Sequence, residues 1–145
     1  MRVVLQRVTR AAVEVGGATV GAIGPGLLAL VGVGHASTSG DARWLATKTA
    51  DLRVFADDAG RMNLSVCDVA GAVLAVSQFT LYGDTARGRR PSFGAAATPA
   101  RARELYELYC SALPVAVERG VFGAHMMIYA EADGPVTLLL EREGS

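Results

Sequence analysis

Histidine and cysteine, which carry much of nucleophilic and metal chemistry, are nearly missing here: two of each in 145 residues. Cys67 and Cys110 match no metal-ligand spacing and no multi-bridge framework. They are read as small apolar side chains in a reducing compartment. His35 and His125 leave little scope for the imidazole base that a serine or cysteine nucleophile needs. No HExxH, GxSxG, Walker or dinucleotide-binding pattern occurs, so no metal and no cofactor is expected. Long apolar runs are lacking too. The most apolar stretch, residues 27–33, falls far short of the ~20 residues a membrane span requires. The segment MRVVLQRVTRAAVEV has no signal-peptide apolar region. A soluble, cytoplasmic protein without membrane contact is expected. Net charge is absent as well, with 14 Lys+Arg against 14 Asp+Glu. A protein that coats nucleic acid irrespective of sequence would carry a basic excess.

What remains is globular: 51% hydrophobic, 19% charged and only 6% aromatic, with 17 glycines for tight turns. The length suits a single domain over residues 1–145. Short β-branched runs cover residues 3–8 and 12–15, and Gly16-Gly17 supplies the two positive-φ positions of a hairpin before ATVGAI. Gly24-Pro25-Gly26 turns the chain into LLALVGV, a buried strand. Ala42, Leu45, Thr49 and Leu52 fall at helical spacing behind a polar cap. AVLAVSQF reads as a strand, and Thr98-Pro99 opens a second helix with an apolar stripe that Pro114 stops. Residues 124–130 and 136–140 read as two last strands around Asp133-Gly134-Pro135. Strands and helices that segregate rather than alternate predict one α+β domain, with an antiparallel, barrel-like sheet and two main helices.

Four features break this plain pattern. A buried-looking strand runs straight into Ser77, Gln78, Phe79 and Thr80, a cluster of hydroxyl and amide side chains. No acid lies between Asp84 and Glu104, so Arg87, Arg89, Arg90, Arg101 and Arg103 form an uncompensated window. Arginine's planar fork suits phosphate recognition, although such runs are more often solvated faces. Asp133-Gly134-Pro135-Val136-Thr137 is by itself a turn signal. Arg7 shares a strand face with Val3 and Leu5, so its charge needs a defined partner. His125, on a strand face with Met127, Tyr129 and Glu131, reads as a solvated or interface residue.

In order, SQFTLYGD, RGRRPSF, GVFGAHM and DGPVT make the chain resemble the D-aminoacyl-tRNA deacylases (D-tyrosyl-tRNA deacylases) essentially from end to end. The resemblance implies a compact homodimer with its active sites at the interface. It implies hydrolysis of the ester between a D-amino acid and the terminal adenosine of tRNA, a chiral proofreading step in translation quality control. Ser77, Gln78, Phe79 and Thr80 would form the floor of the site. Gly134-Pro135, in the cis form, would enter from the partner subunit together with Val136 and Thr137, and Arg7 would support that loop. Phe122 and Gly123 would lie against the adenosine. The tRNA acceptor end is the implied partner, and Arg87, Arg89 and Arg90 are the candidates for gripping its phosphates.

A loop that reads its substrate with main-chain atoms selects by excluding the L enantiomer, so it should admit many D-residues and glycine. Backbone N–H groups around Gln78, Phe79 and Thr80 are candidates for the oxyanion. Thr80 is expected to orient substrate while a ribose hydroxyl helps activate water. The chain departs from the family pattern at Ala132, where Asn is common, at Arg119, and in a shortened stretch before Gly120.

Overall fold

A broken two-residue alternation shapes the first strand. Buried Val3 and Leu5 are followed by Val8, then by Ala11 and Val13, so the inward phase shifts twice. The two runs read separately from the sequence are therefore one bent strand. The computed structural model describes residues 1–144. In order, these form β1 (Arg2–Val15), β2 (Ala18–Ile23), β3 (Gly26–Gly32), α1 (Ser39–Asp51), β4 (Phe55–Ala56) and β5 (Met62–Leu64). They continue with β6 (Ala72–Ser77), a 3₁₀ turn (Phe79–Tyr82), α2 (Pro99–Ala112), β7 (Ala116–Arg119) and β8 (Met127–Glu141).

β1 pairs antiparallel along one edge with β3, from Arg2↔Gly32 to Val8↔Gly26. Further on it pairs with β2, from Ala11↔Ile23 to Val15↔Ala18. Its other edge carries β8 throughout. The expected two last strands are thus one strand, interrupted in register rather than ended. Gln6 faces Thr137 and Val8 faces Ala132, so residues 133–136 of β8 stand opposite Arg7 alone. This local excess is a bulge, which bends the ladder.

The expectation of an antiparallel sheet needs correction. β3 and β6 are parallel, and so are β6 and β7. Parallel neighbours need a crossover connection, and the two helices supply it: α1 lies between β3 and β6 in sequence, α2 between β6 and β7. β7 itself was not legible in the sequence, because AVER is short and polar and lies at the sheet edge. The order β2-β1-β3-β6-β7 nearly closes on itself, with Ala22 N–H donating to Glu118 Oε1 at 3.5 Å between β2 and β7.

The central strands are buried on both faces. Leu27, Ala29, Val31, Val73 and Ala75 join the core under the helices, while Leu28, Leu74 and Val76 join Val8, Ala11, Val13 and Ile23 on the other side. This explains the near-continuous apolar reading of LLALVGV and AVLAV. Thr38 caps α1 through a reciprocal pair with Asp41, and Thr98 caps α2 ahead of Pro99. Thr49 Oγ1 donates to Leu45 O at 2.8 Å and meets Tyr109 Oη at 2.9 Å, joining the helices inside the core. Tyr106 Oη donates to Ala75 O at 2.8 Å and pins α2 to β6.

Burial pushes the hydroxyls of Tyr82, Tyr106 and Tyr109 above the ordinary tyrosine value of 10.0. The folded chain therefore keeps these protons where the unfolded chain loses them. Stability is full below the unfolded value and falls as pH rises past it. Urea unfolding between about pH 8 and about pH 11 should show this loss. Tyr109→Phe should cost about 1 kcal/mol at neutral pH and flatten the alkaline decline; an unchanged decline would contradict the role given to Tyr109.

Candidate active site

β6 ends by leaving the sheet. Gln78 N–H still donates to Val31 O at 2.8 Å, and the chain then tightens into the 3₁₀ turn. Inside the turn Leu81 N–H returns to Gln78 O and Gly83 N–H to Thr80 O. Arg2 holds the turn from outside, donating to Leu81 O at 2.7 Å and lying over the Tyr82 ring at 4.5 Å. Tyr82 is buried, with its hydroxyl donating to Glu143.

Beside this turn lies a cavity of about 640 Å³. Ser77, Gln78 and Phe79 form one wall, Phe93, Ala96, Ala97 and the start of α2 another, and residues 122–126 a third. Phe122 is fixed between two neighbours, Tyr106 at 6.1 Å and the Arg103 guanidinium at 4.9 Å. Gly123 follows it at φ +77°.

The structure brings Ser77, Gln78, Phe79, Phe122 and Gly123 together around this space. It does not bring Thr80 to the cavity wall. The exposed Thr80 hydroxyl accepts from Gln78 Nε2 instead. The amides separate likewise. Gln78 N–H is taken by Val31 O, whereas those of Phe79 and Thr80, at the head of the turn, have no hydrogen-bond partner among the described residues. Of the three amides considered from the sequence, two are available.

His125 is exposed, as expected, yet it is also a cavity residue. β8 begins only at Met127, so the strand-face argument does not apply, and His125 lines the cavity. It is the one titratable side chain that does so among the described residues. The signal was its position two residues after Phe122-Gly123. Without a carboxylate or a second base, the cavity holds no acid–base pair. Its chemistry is that of main-chain amides, a serine hydroxyl, a carboxamide and the single imidazole of His125.

Gly134, Pro135, Val136 and Thr137 do not line this cavity in their own chain. They occupy the β8 bulge, where the Gly134–Pro135 peptide bond is cis. Arg7 clamps the bulge from β1. Its Nε donates to Asp133 O at 3.2 Å and lies 3.3 Å from Asp133 Oδ2, while Nη1 donates to Val54 O at 2.6 Å. The side chain is 14% exposed, so the fork works in a partly dry setting. Val136 is half-buried against the main core, and Thr137 Oγ1 accepts from Gln6 at 3.4 Å.

The arginine window splits. Arg101 pairs with Glu104 at 3.0 Å and Arg103 lies over Phe122, so neither is uncompensated in space. Arg87, Arg89 and Arg90 sit exposed in a loop pinched by the mutual Asp84–Ser92 backbone bonds. None of these three has an acidic partner within ion-pair distance among the described residues.

Residues 4–141 match the family model described as D-Tyr-tRNA(Tyr) deacylase. A protein of Deinococcus deserti named D-aminoacyl-tRNA deacylase is 56% identical over 144 residues, covering 97% of this chain and 99% of that one. One of the same name from Akkermansia muciniphila is 53% identical over 145 residues, covering 97% of each. Among solved structures, "c-Myc DNA Unwinding Element Binding Protein" superposes with TM-score 0.92 at 38% identity, covering 98% of this chain and 99% of that one. The structure titled "Structural Analysis of a probable eukaryotic D-amino acid tRNA deacylase" superposes with TM-score 0.78 at 19% identity, covering 96% of this chain and 97% of that one, a likeness of fold.

Gly134 adopts φ +117°, and a Cβ there would meet Arg7 Nη2 at 3.0 Å and Val136 N at 3.2 Å. Gly134→Ala is therefore expected to cost roughly 1–3 kcal/mol and lower the thermal midpoint. An unchanged midpoint would show that the bulge accepts a side chain.

Proposed function

The chain belongs to the D-Tyr-tRNA(Tyr) deacylase family, and from that premise we propose that it hydrolyses the ester joining a D-amino acid to the terminal adenosine of tRNA. The observation that carries this reading is the carboxylate-free cavity, walled by Ser77, Gln78 and Phe79, with the unpartnered amides of Phe79 and Thr80 in the 3₁₀ turn beside it. An ester carbonyl that gains charge in the transition state needs such donors, held in place beforehand. Phe122 and Gly123 form the wall for the adenosine, and the aminoacyl group lies toward the 3₁₀ turn.

The working unit in this reading is a homodimer. Among the described residues only one edge of β8 is paired, and its Met127, Tyr129 and Leu139 stand 52%, 54% and 58% exposed. An edge strand carrying large apolar side chains is a surface for a partner. A second copy seated there brings its Gly134-Pro135 bulge, with Val136 and Thr137, to a cavity its own chain does not extend to. Main-chain atoms of that bulge then occupy the space an L side chain would need, while a D side chain points away. Selection by exclusion has no grip on glycine, which is admitted.

Hydrolysis in this site leans on the substrate. No base adjoins Thr80, whose hydroxyl already accepts from Gln78, so Thr80 orients and the ribose hydroxyl beside the ester helps activate water. Arg87, Arg89 and Arg90 are positioned for the acceptor-end phosphates, a contact confined to the end of the RNA and compatible with zero net charge.

Parallel incubation with matched D- and L-aminoacyl-tRNA tests the reading. The D-ester should be lost and the L-ester kept, with glycyl-tRNA cleaved alongside the D-ester; equal loss of D and L would contradict it. Thr80→Ser should retain more activity than Thr80→Ala, and a covalent threonyl ester trapped on the protein would contradict an orienting role. Replacing Arg87, Arg89 and Arg90 together should raise KM and reduce the salt slope of binding by about 2, at roughly 0.7 per contact on single-stranded RNA. An unchanged slope would make the loop a solvated face.

A further inference from the structure

Phe93 is held on three sides and open on the fourth. Its ring meets Phe79 edge-on, with centroids 5.0 Å apart and planes at 69°. It closes over Gly83, where even a Cβ would come within 3.0 Å of the ring. The residues that follow it are bonded to the segment just after β3. His35 Nε2 lies 2.7 Å from Gly94 O, His35 N–H donates to Ala95 O at 3.1 Å, and Ala97 N–H donates to Val33 O at 3.0 Å. Ser92, just before it, is locked to Asp84 in both directions. Yet the side chain is 38% exposed, and Phe79 beside it 54%. Both line the mouth of the cavity, and the loop carrying Arg87, Arg89 and Arg90 leads directly into Phe93.

Apolar rings fixed in place and left open, beside cations without acidic partners, are how single-stranded nucleic acid is gripped. The ring takes a base face and the cations take the backbone. Rigid aromatics also lose little conformational freedom on binding. We infer that Phe93 is the stacking face for the base of the nucleotide preceding the terminal adenosine, with the arginine loop on the phosphates that follow the chain outward. This rests on the tRNA reading above, and extends the contact from one nucleotide to at least two.

The test uses two substrates for the full-length protein: a D-aminoacyl-tRNA, and the same D-amino acid esterified to adenosine alone, which has no preceding base. Phe93→Ala should raise KM on the tRNA about ten-fold or more, the range of one lost base stack, with kcat little changed. On the adenosine ester, which lacks that base, the rise in KM should be several-fold smaller, limited to what Phe93 contributes as part of the cavity wall. Phe93→Leu, which keeps apolar bulk against Gly83 but has no ring, should behave as Phe93→Ala, and Phe93→Trp should restore the tRNA value. Equal losses on both substrates would overturn the inference and leave the ring as cavity wall alone, with no stacked base beyond the adenosine. An unchanged KM on tRNA would overturn it too, as would a shift in oligomeric mass, which would make Phe93 a subunit contact. A wild-type protein that cleaves neither ester overturns the deacylase reading and this inference with it.

Discussion

Arg7 satisfies three acceptors from one half-dry position: Asp133 O, the Asp133 carboxylate and Val54 O. What makes this clamp necessary is a mismatch of register, in which residues 133–136 of β8 stand opposite that one residue of β1. Extra backbone in a strand leaves N–H and C=O groups without ladder partners. A guanidinium can donate to such a carbonyl and to nearby acceptors at once, in fixed directions, where an ammonium would answer as a single point. The bulge is therefore a shaped object, with Gly134 at a φ that favours glycine and the Arg7 fork against it. In the proposed dimer this shape, and no side chain, discriminates the enantiomers.

The second constraint is the scarcity of ionisable side chains around the cavity. Among the described residues only His125 is titratable on its wall, and in the proposed reaction the catalytic burden falls on amide dipoles and on the substrate's own hydroxyl. Such a site depends on exact placement of backbone, and the placement is supplied from a distance. Arg2 grips Leu81 O, Tyr82 is anchored to Glu143, and the β6 ladder persists through Gln78 N–H. The amides of Phe79 and Thr80 are left over where the sheet has ended and the 3₁₀ turn has not yet begun to accept them.

Much of this was legible in the sequence, and the limits have physical causes. Capping at Thr38 and Thr98, the apolar helix stripes and the buried strands follow from local rules, so their positions were readable. Strand direction was not, since β3 and β6 become parallel only because α1 returns the chain to the same end of the sheet. β7 is too short and polar to signal itself. The bulge was read as a turn because Asp-Gly-Pro has the same composition in either, and only pairing with β1 distinguishes them. Among the site residues, Ser77, Gln78, Phe79, Phe122 and Gly123 were found on the cavity, Thr80 was not, and His125, exposed as expected, lines it as well. Side-chain chemistry made Thr80 conspicuous, but the turn directs its hydroxyl to Gln78. The arginine window lost two members to Glu104 and Phe122, neighbours that charge counting along the chain does not reveal.

Assembly of the site from two subunits can be measured directly by complementation. One chain would carry Arg7→Ala with Gly134→Ala, which releases the bulge, and the other Ala97→Trp, which fills the cavity. Each should be inactive alone on D-aminoacyl-tRNA. Random mixing makes half the dimers hybrid, each with one intact site, so co-expressed chains should recover about a quarter of wild-type turnover. No recovery above the separate parents, from chains shown to form hybrids, would contradict a site completed across the interface.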